Sequence, residues 1–251
     1  MITLDRPLVL FAFSFVILSL SVQIGAFVGY QRPIREDERN DLDVVISSSL
    51  TLLALIIGFS FSMALSRYDQ RKNYEEEEAN AVGTEYVRAN LLPAADRARV
   101  HELLTQYLDQ RLLFYTIRDP DQLERVDTET AKLQNEMWSI VQNVAMAQPT
   151  PPISLTLSGM NDVLNTEGYT QAAWWNRIPI GAWGLMVALA VFCCLLIGYR
   201  ARRRGVHLLT VLPVIVSVAF FLIADIDSPR LGLIRVPPQN LIRLSQSLRK
   251  Q

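Results

Sequence analysis

The chain is short of the residues that carry most covalent and metal chemistry. Its two histidines, His101 and His207, lie far apart and outside any metal-binding spacing. It has no glycine-rich phosphate loop and no nucleophile elbow. These absences predict a protein that is not an enzyme and that needs neither a metal nor a cofactor. The two cysteines, Cys193 and Cys194, are neighbours, and neighbours on a helix cannot close an ordinary disulfide. The formal net charge is -1, which provides no field for nucleic acid. No alternation of apolar and polar residues marks a strand. No proline follows Val44 until Pro93, so nothing breaks a helix between them. No small-x-small cleavage site follows the first apolar stretch, which therefore reads as a retained span and not a secretory signal.

What is present is segregated. The chain is 50% hydrophobic and 20% charged, two figures that agree only if apolar and charged residues occupy different stretches. Apolar stretches at residues 7–30, 44–65, 178–199 and 208–224 each reach or approach the ~17–25 residues that cross a bilayer. They predict an all-α membrane protein: four transmembrane helices in two hairpins, with a helical extramembrane domain inserted between spans two and three. The implied segments are hairpin one (1–68), the helical domain (69–177), hairpin two (178–226) and an amphipathic tail (227–251). Span two runs without a stop into Ser66-Arg67-Tyr68-Asp69 and the acidic run Glu75-Glu76-Glu77-Glu78. One helix from Val44 to Pro93 is expected, roughly 70 Å long at 1.5 Å per residue.

Within the insert, Leu123, Val126, Thr130, Leu133, Met137, Ile140 and Val144 recur at spacings of three and four, the apolar stripe of an amphipathic helix. Asp119 or Asp121 stands near its N-cap. A preceding helix is expected over residues 94–117. Pro149-Thr150-Pro151-Pro152 ends the second helix, and a shorter one is expected around 154–164. Leu241, Leu244 and Leu248 give the tail an apolar side. The arginines Arg200, Arg202, Arg203 and Arg204 form the densest basic cluster in a short loop. By the positive-inside rule they place that loop inside and the helical domain on the non-cytoplasmic side of a plasma (inner) membrane.

Two small-residue signals stand out: Gly25 and Gly29 as a GxxxG at the end of span one, and Ala54, Gly58, Ser62 and Ser66 at four-residue spacing on span two. Small residues let helix backbones approach closely. One reading is packing within the chain. The other is that Ser47, Thr51, Ser62 and Ser66 border a water-filled path between subunits, where hydroxyl groups hydrate ions weakly. Phe59 and Phe61 then form a dewetting constriction, unless they only face lipid. Asp225 and Asp227 end span four, where carboxylates need hydration or a partner. They read as a capped interfacial turn or as a cation or proton site at a pore mouth. Asp-x-Asp also opens a calcium loop, but the other ligands are missing. The acidic run reads as a solvated helix face. Glu85 and Arg88 are spaced to pair, and Asn80, Thr84 and Arg88 share a line. With Arg67, Asp69 and Glu78 they suggest a polar network that holds the helical domain to the membrane portion. Trp174, Trp175, Trp183 and Tyr199 read as interfacial anchors.

These residues carry a resemblance. The string Gly58-Phe59-Ser60-Phe61-Ser62-Met63-Ala64-Leu65-Ser66-Arg67-Tyr68-Asp69 resembles the end of span two in the bestrophin-like family of bacterial membrane proteins. Glu78-Ala79-Asn80-Ala81, Gly83-Thr84, Arg88-Ala89 and Leu91-Leu92-Pro93 resemble that family's next block. Asp225-Ile226-Asp227-Ser228-Pro229-Arg230-Leu231-Gly232 resembles its signature after the last span, where the family more usually has Asp-Leu-Asp. The resemblance implies four spans with a helical insert. True bestrophins share that layout and are pentameric anion channels with a hydrophobic neck on span two and a cytoplasmic insert, the opposite side from the one the arginine cluster indicates. A dense acidic calcium clasp of the bestrophin kind is missing. The expected function is an oligomeric ion channel with span two lining the path, its partners being the lipid bilayer, ions and further copies in a cyclic homo-oligomer, a pentamer if it follows bestrophins. The alternative is a non-conducting membrane scaffold or sensor whose helical domain binds a partner protein.

Overall fold

The computed structural model describes residues 6–32, 35, 38–201 and 209–250. These residues are all-helical, with no strand among them: α1 (Pro7–Gln31), α2 (Glu38–Arg88), a 3₁₀ turn (Ala89–Leu91), α3 (Ala94–Thr116), α4 (Pro120–Ala147), α5 (Pro151–Trp175), α6 (Ile180–Arg200), α7 (Val211–Asp227) and α8 (Gln239–Leu248). Prolines set several starts. Pro7, Pro120 and Pro151 sit in the first turn of their helices, where the missing N–H has no helical partner to lose. The Asp119 side chain caps α4 by accepting from Asp121 N at 3.3 Å. The long second helix is present, begins six residues before Val44 and ends in the 3₁₀ turn ahead of Pro93. Its 51 residues make it roughly 75 Å long.

The chain forms two compact units, made by the described residues of Met1–Arg67 with Arg177–Ile234 and of Tyr68–Asn176 with Arg235–Gln251. In the first, α1 packs along α6 and α7. A side chain at Gly25 or Gly29 would run into the carbonyls of Leu195 or Tyr199, and one at Gly198 into that of Val22. The GxxxG signal is therefore used inside the chain, to bring α1 and α6 backbones together. Trp183 is buried edge-on to Phe220, with ring centres 6.0 Å apart. Arg200 grips Asp43 with two bonds of 2.8 and 2.9 Å, and the Tyr199 hydroxyl donates to the Arg32 carbonyl at 3.3 Å. Three helical stretches among the described residues are long and apolar enough to cross a membrane: Pro7–Gln31, Glu38–Leu91 and Pro151–Arg200. The fourth apolar helix, α7, has 17 residues. The expected start of span four at Leu208, together with Arg202, Arg203, Arg204 and His207, lies outside the described residues.

In the second unit the α4 stripe closes on α3 and α5, with Val100, Leu104, Tyr107, Met137, Val141 and Met160 fully buried at its centre. Helix α5 is more than twice the expected length. Gly159 and Gly168 do not stop it, because buried Thr170, Ala173 and Trp174 continue its inward face. Trp174 is not an interfacial anchor. It packs edge-on against Phe114 and Tyr115, at 5.0 and 5.3 Å. Trp175, its neighbour, is exposed.

Candidate functional site

The residues singled out from the sequence nearly all lie on α2, whose two faces differ along its whole length. At about 100° per residue, Leu53, Ser60, Ala64, Arg71, Glu75, Glu78, Val82 and Glu85 fall on one side, and all are buried. Ser47, Thr51, Gly58, Ser62, Ser66, Asp69 and Asn80 fall on the other, and all are exposed.

In the first unit the exposed side carries the candidate pore residues. The Ser47 hydroxyl donates to the Val44 carbonyl at 3.0 Å and Thr51 to the Ser47 carbonyl at 2.9 Å, so both turn back onto their own helix. Nothing lies within 4 Å of the place a Gly58 side chain would take. Phe59 is 62% exposed and Phe61 39%. They do not share one face. Phe59 flanks the serine line, whereas Phe61 joins Leu50, Leu53, Ile57 and Gly58 on one wall of an apolar groove of about 400 Å³ whose other wall is α7.

In the second unit the buried side of α2 is ionic. The acidic run is not a uniformly solvated face. Glu76 and Glu77 are exposed, but Glu75 and Glu78 are buried, because a spacing of three returns them to one side of the helix. Glu75 accepts from Asn240 N at 2.8 Å, Asn240 Nδ2 at 2.7 Å and Leu241 N at 3.0 Å. The residue at the N-cap of α8 is Pro238, which has no capping oxygen in its side chain, so Glu75 supplies the charge and acceptors that the helix start lacks. Arg71 does the converse at the end of α5, donating to the carbonyls of Ala173 at 3.1 Å and Asn176 at 3.3 Å. Glu78 meets Arg111, whose Nε donates to its Oε1, together with the Thr170 hydroxyl at 3.1 Å and the Tyr115 hydroxyl at 3.4 Å. Arg111 also reaches Glu167 at 3.4 Å and stands 4.4 Å over the Phe114 ring. Burial alone would make Arg111 a weaker base, but the negative groups around it more than offset that and hold its pKa above the ordinary value. Burial pushes Glu167 up, with Arg111 opposing. Every partner of this network named here lies in the second unit.

Glu85 and Arg88 do not bond to each other as expected. Arg88 Nη1 lies 3.8 Å from Asp162 Oδ2 of α5, and neither Glu85 oxygen has a hydrogen-bond partner among the described residues. Asn80, Thr84 and Arg88 do share a line, bordering a groove of about 510 Å³ with Asn240 and Arg243 of α8. Asp69 is exposed. Arg71, Arg111 and Glu167 were missed from the sequence. The signal for Arg111 was its position, since it occupies an apolar-stripe site of α3 between Leu108 and Phe114.

The bestrophin-like domain profile matches residues 13–241. The chain belongs to the bestrophin-like family. Its fold is that of a bacterial bestrophin homologue from Klebsiella pneumoniae, with a TM-score of 0.66 at 17% identity over 95% of this chain and 97% of that one. It also matches the crystal structure of a membrane protein with a TM-score of 0.68 at 16% identity, over 95% and 97% of the two chains. No curated protein matches. In this bestrophin-like membrane protein the Asp225–Gly232 signature is a folded turn. Asp225 accepts from Leu233 N at 2.6 Å and Ile234 N at 2.8 Å. A side chain at Gly232 would strike the carbonyls of Asp225 and Ser228. Asp227 accepts from Ile178 N at 3.1 Å and stands 3.6 Å from Arg67 Nη1. The two carboxylates thus fasten the backbone that follows α7, the entry to α6 and the α2 side chain Arg67. Among the described residues no cluster of three potential metal ligands occurs.

Proposed function

We propose that this bestrophin-like protein is an ion channel built as a cyclic homo-oligomer, with α2 of each copy lining the path. The supporting observation is the contrast between its two small-residue signals. Gly25 and Gly29 are filled by α6, while Gly58 and the line of Ser47, Thr51, Ser62 and Ser66 are left bare by their own chain. Close approach of copies along that face uses small residues as membrane helices do, and hydroxyls facing an axis give ions a weakly polar surface. In this reading four helices cross the bilayer, α7 at the short end of the usual range, and residues 69–177 form the extramembrane domain. Phe59, beside the serine line, is a better constriction than Phe61, which faces the α7 groove. Asp225 and Asp227, tied to backbone and to Arg67, shape the end of the path and do not bind ions themselves.

Reconstituted protein should pass ions across liposomes above the protein-free background. Phe59→Ala should change that flux several-fold and Phe61→Ala less. An intact oligomer with no flux of either anions or cations would overturn the proposal.

A further inference from the structure

The contact between α2 and α5 in the second unit holds a carboxyl group that the proposed path does not use. Glu85 is fully buried, and both of its oxygens lack a hydrogen-bond partner among the described residues. A Cβ placed on Gly159 of α5 would clash with Glu85 Oε2 and stand 2.6 Å from Arg88 Nη1. The acid and the guanidinium therefore close on one bare Cα, which only glycine leaves free. Arg88 is nevertheless placed by other groups: its Nη1 is 3.8 Å from Asp162 Oδ2, and its carbonyl accepts the Thr156 hydroxyl at 3.2 Å. Both members of the Arg88–Asp162 pair are partly exposed, so that pair is weak and easily exchanged.

A buried carboxylate without hydrogen bonds is disfavoured against its neutral form. Burial pushes the Glu85 carboxyl up to about 8. Arg88 opposes the rise and Asp162 adds to it. The charged groups facing this contact are Arg88 from α2 and Asp162 from α5. Of the neighbouring helices, α3 brings His101, whose Nε2 is bonded to the Tyr86 carbonyl at 2.8 Å, and α8 brings Arg243 to the groove that Arg88 borders.

We propose that Glu85 is a proton-operated switch on the α2–α5 contact. Protonated, it lies against Gly159 and leaves Arg88 to Asp162. Ionised, it releases its proton to solvent, takes Arg88 and frees Asp162. The sign follows from proton linkage. Between the ordinary carboxyl value of 4.5 and about 8, the closed contact holds a proton that an opened, hydrated Glu85 has lost. The closed-to-open ratio therefore falls as pH rises through that window, by up to about tenfold per pH unit, and levels off above it.

The test is an infrared titration of the protonated carboxyl band in full-length protein in detergent, with Glu85→Gln, which keeps the size and neutrality of the protonated acid, identifying the band by difference. The wild-type midpoint should lie above 7. Asp162→Asn, a change at a half-exposed site, should lower the midpoint by freeing Arg88, and Arg88→Gln should raise it. A midpoint in the ordinary carboxyl range, or one that Asp162→Asn does not move, overturns the proposal. The Asp162→Asn comparison decides even if Glu85→Gln fails to fold. No conductance is read, so the switch and the channel stand or fall separately.

Discussion

The two halves of α2 distribute polarity in opposite ways. Through the first unit, the helix turns Leu53, Ser60 and Ala64 inward and leaves phenylalanine, leucine and small hydroxyl residues on the outside. Through the second unit, the outside carries Asp69, Glu76, Glu77, Asn80 and Thr84, while Arg71, Glu75, Glu78 and Glu85 go in. On the proposed topology, the difference follows from what surrounds each half. Where lipid or another copy is the neighbour, apolar side chains outside are not penalised and the helix needs only a narrow strip against its own chain. Where water is outside, buried charge survives only with a designated partner. Arg71 and Glu75 each take the open end of another helix, and Glu78 takes Arg111. The second half is thereby fixed in rotation by buried charges, the first mainly by shape, with charged ties at Asp43 and Arg67 near its two ends.

The largest expected effect tests that statement. Glu78→Ala leaves Arg111 fully buried without its main counter-charge and should destabilise the protein by about 3–5 kcal/mol, seen as a large fall in the thermal midpoint in detergent. Replacing both Glu78 and Arg111 by methionine should recover part of the loss, because it removes the fully buried charges and leaves only Glu167, which keeps some exposure, without its guanidinium partner. A cost below about 1 kcal/mol for Glu78→Ala alone would mean that the pair behaves like a surface one. Next in size is Gly25→Ala in the first unit. Its methyl group meets the Leu195 carbonyl, so α1 and α6 must separate, at roughly 1–3 kcal/mol. Glu75→Ala should follow at about 1–2 kcal/mol, with faster amide exchange at Asn240 and Leu241, the two backbone N–H groups it accepts from.

Features set by local chemistry were legible in the sequence. The unbroken α2 follows from the missing proline. The α4 stripe and its Asp119 cap follow from spacing, and the GxxxG contact from two glycines four apart. The misreadings concern partners distant in the chain. Four consecutive glutamates carry no phase of their own, and what sorts them is Arg111, 33 residues from Glu78, and the start of α8, 165 residues from Glu75. Trp174 beside a span looks like an anchor until Phe114 and Tyr115, from another helix, enclose it. Gly159 lies inside the helix expected around 154–164, and only the packing shows it as the close-approach site for Glu85 and Arg88. The exposed line on span two was legible as a set of small residues. That its own chain leaves it bare required the packing of every other helix in the first unit.

The smallest expected effect bears on the outward face itself. Gly58→Ala and Ser62→Ala add or remove little where the chain makes no contact, so each should change stability by no more than about 0.5 kcal/mol, in contrast to Gly25→Ala on a similar motif. The larger substitutions Gly58→Leu and Ser62→Leu should also leave the isolated chain's folding intact, since open space adjoins Gly58. They should nevertheless prevent the close approach of α2 helices that small residues permit, and so shift the oligomer toward smaller species and reduce flux together. If both leucine variants keep the size and the flux of the wild type, the face meets lipid alone. The bareness of the first half would then be no more than what an apolar helix shows to a bilayer.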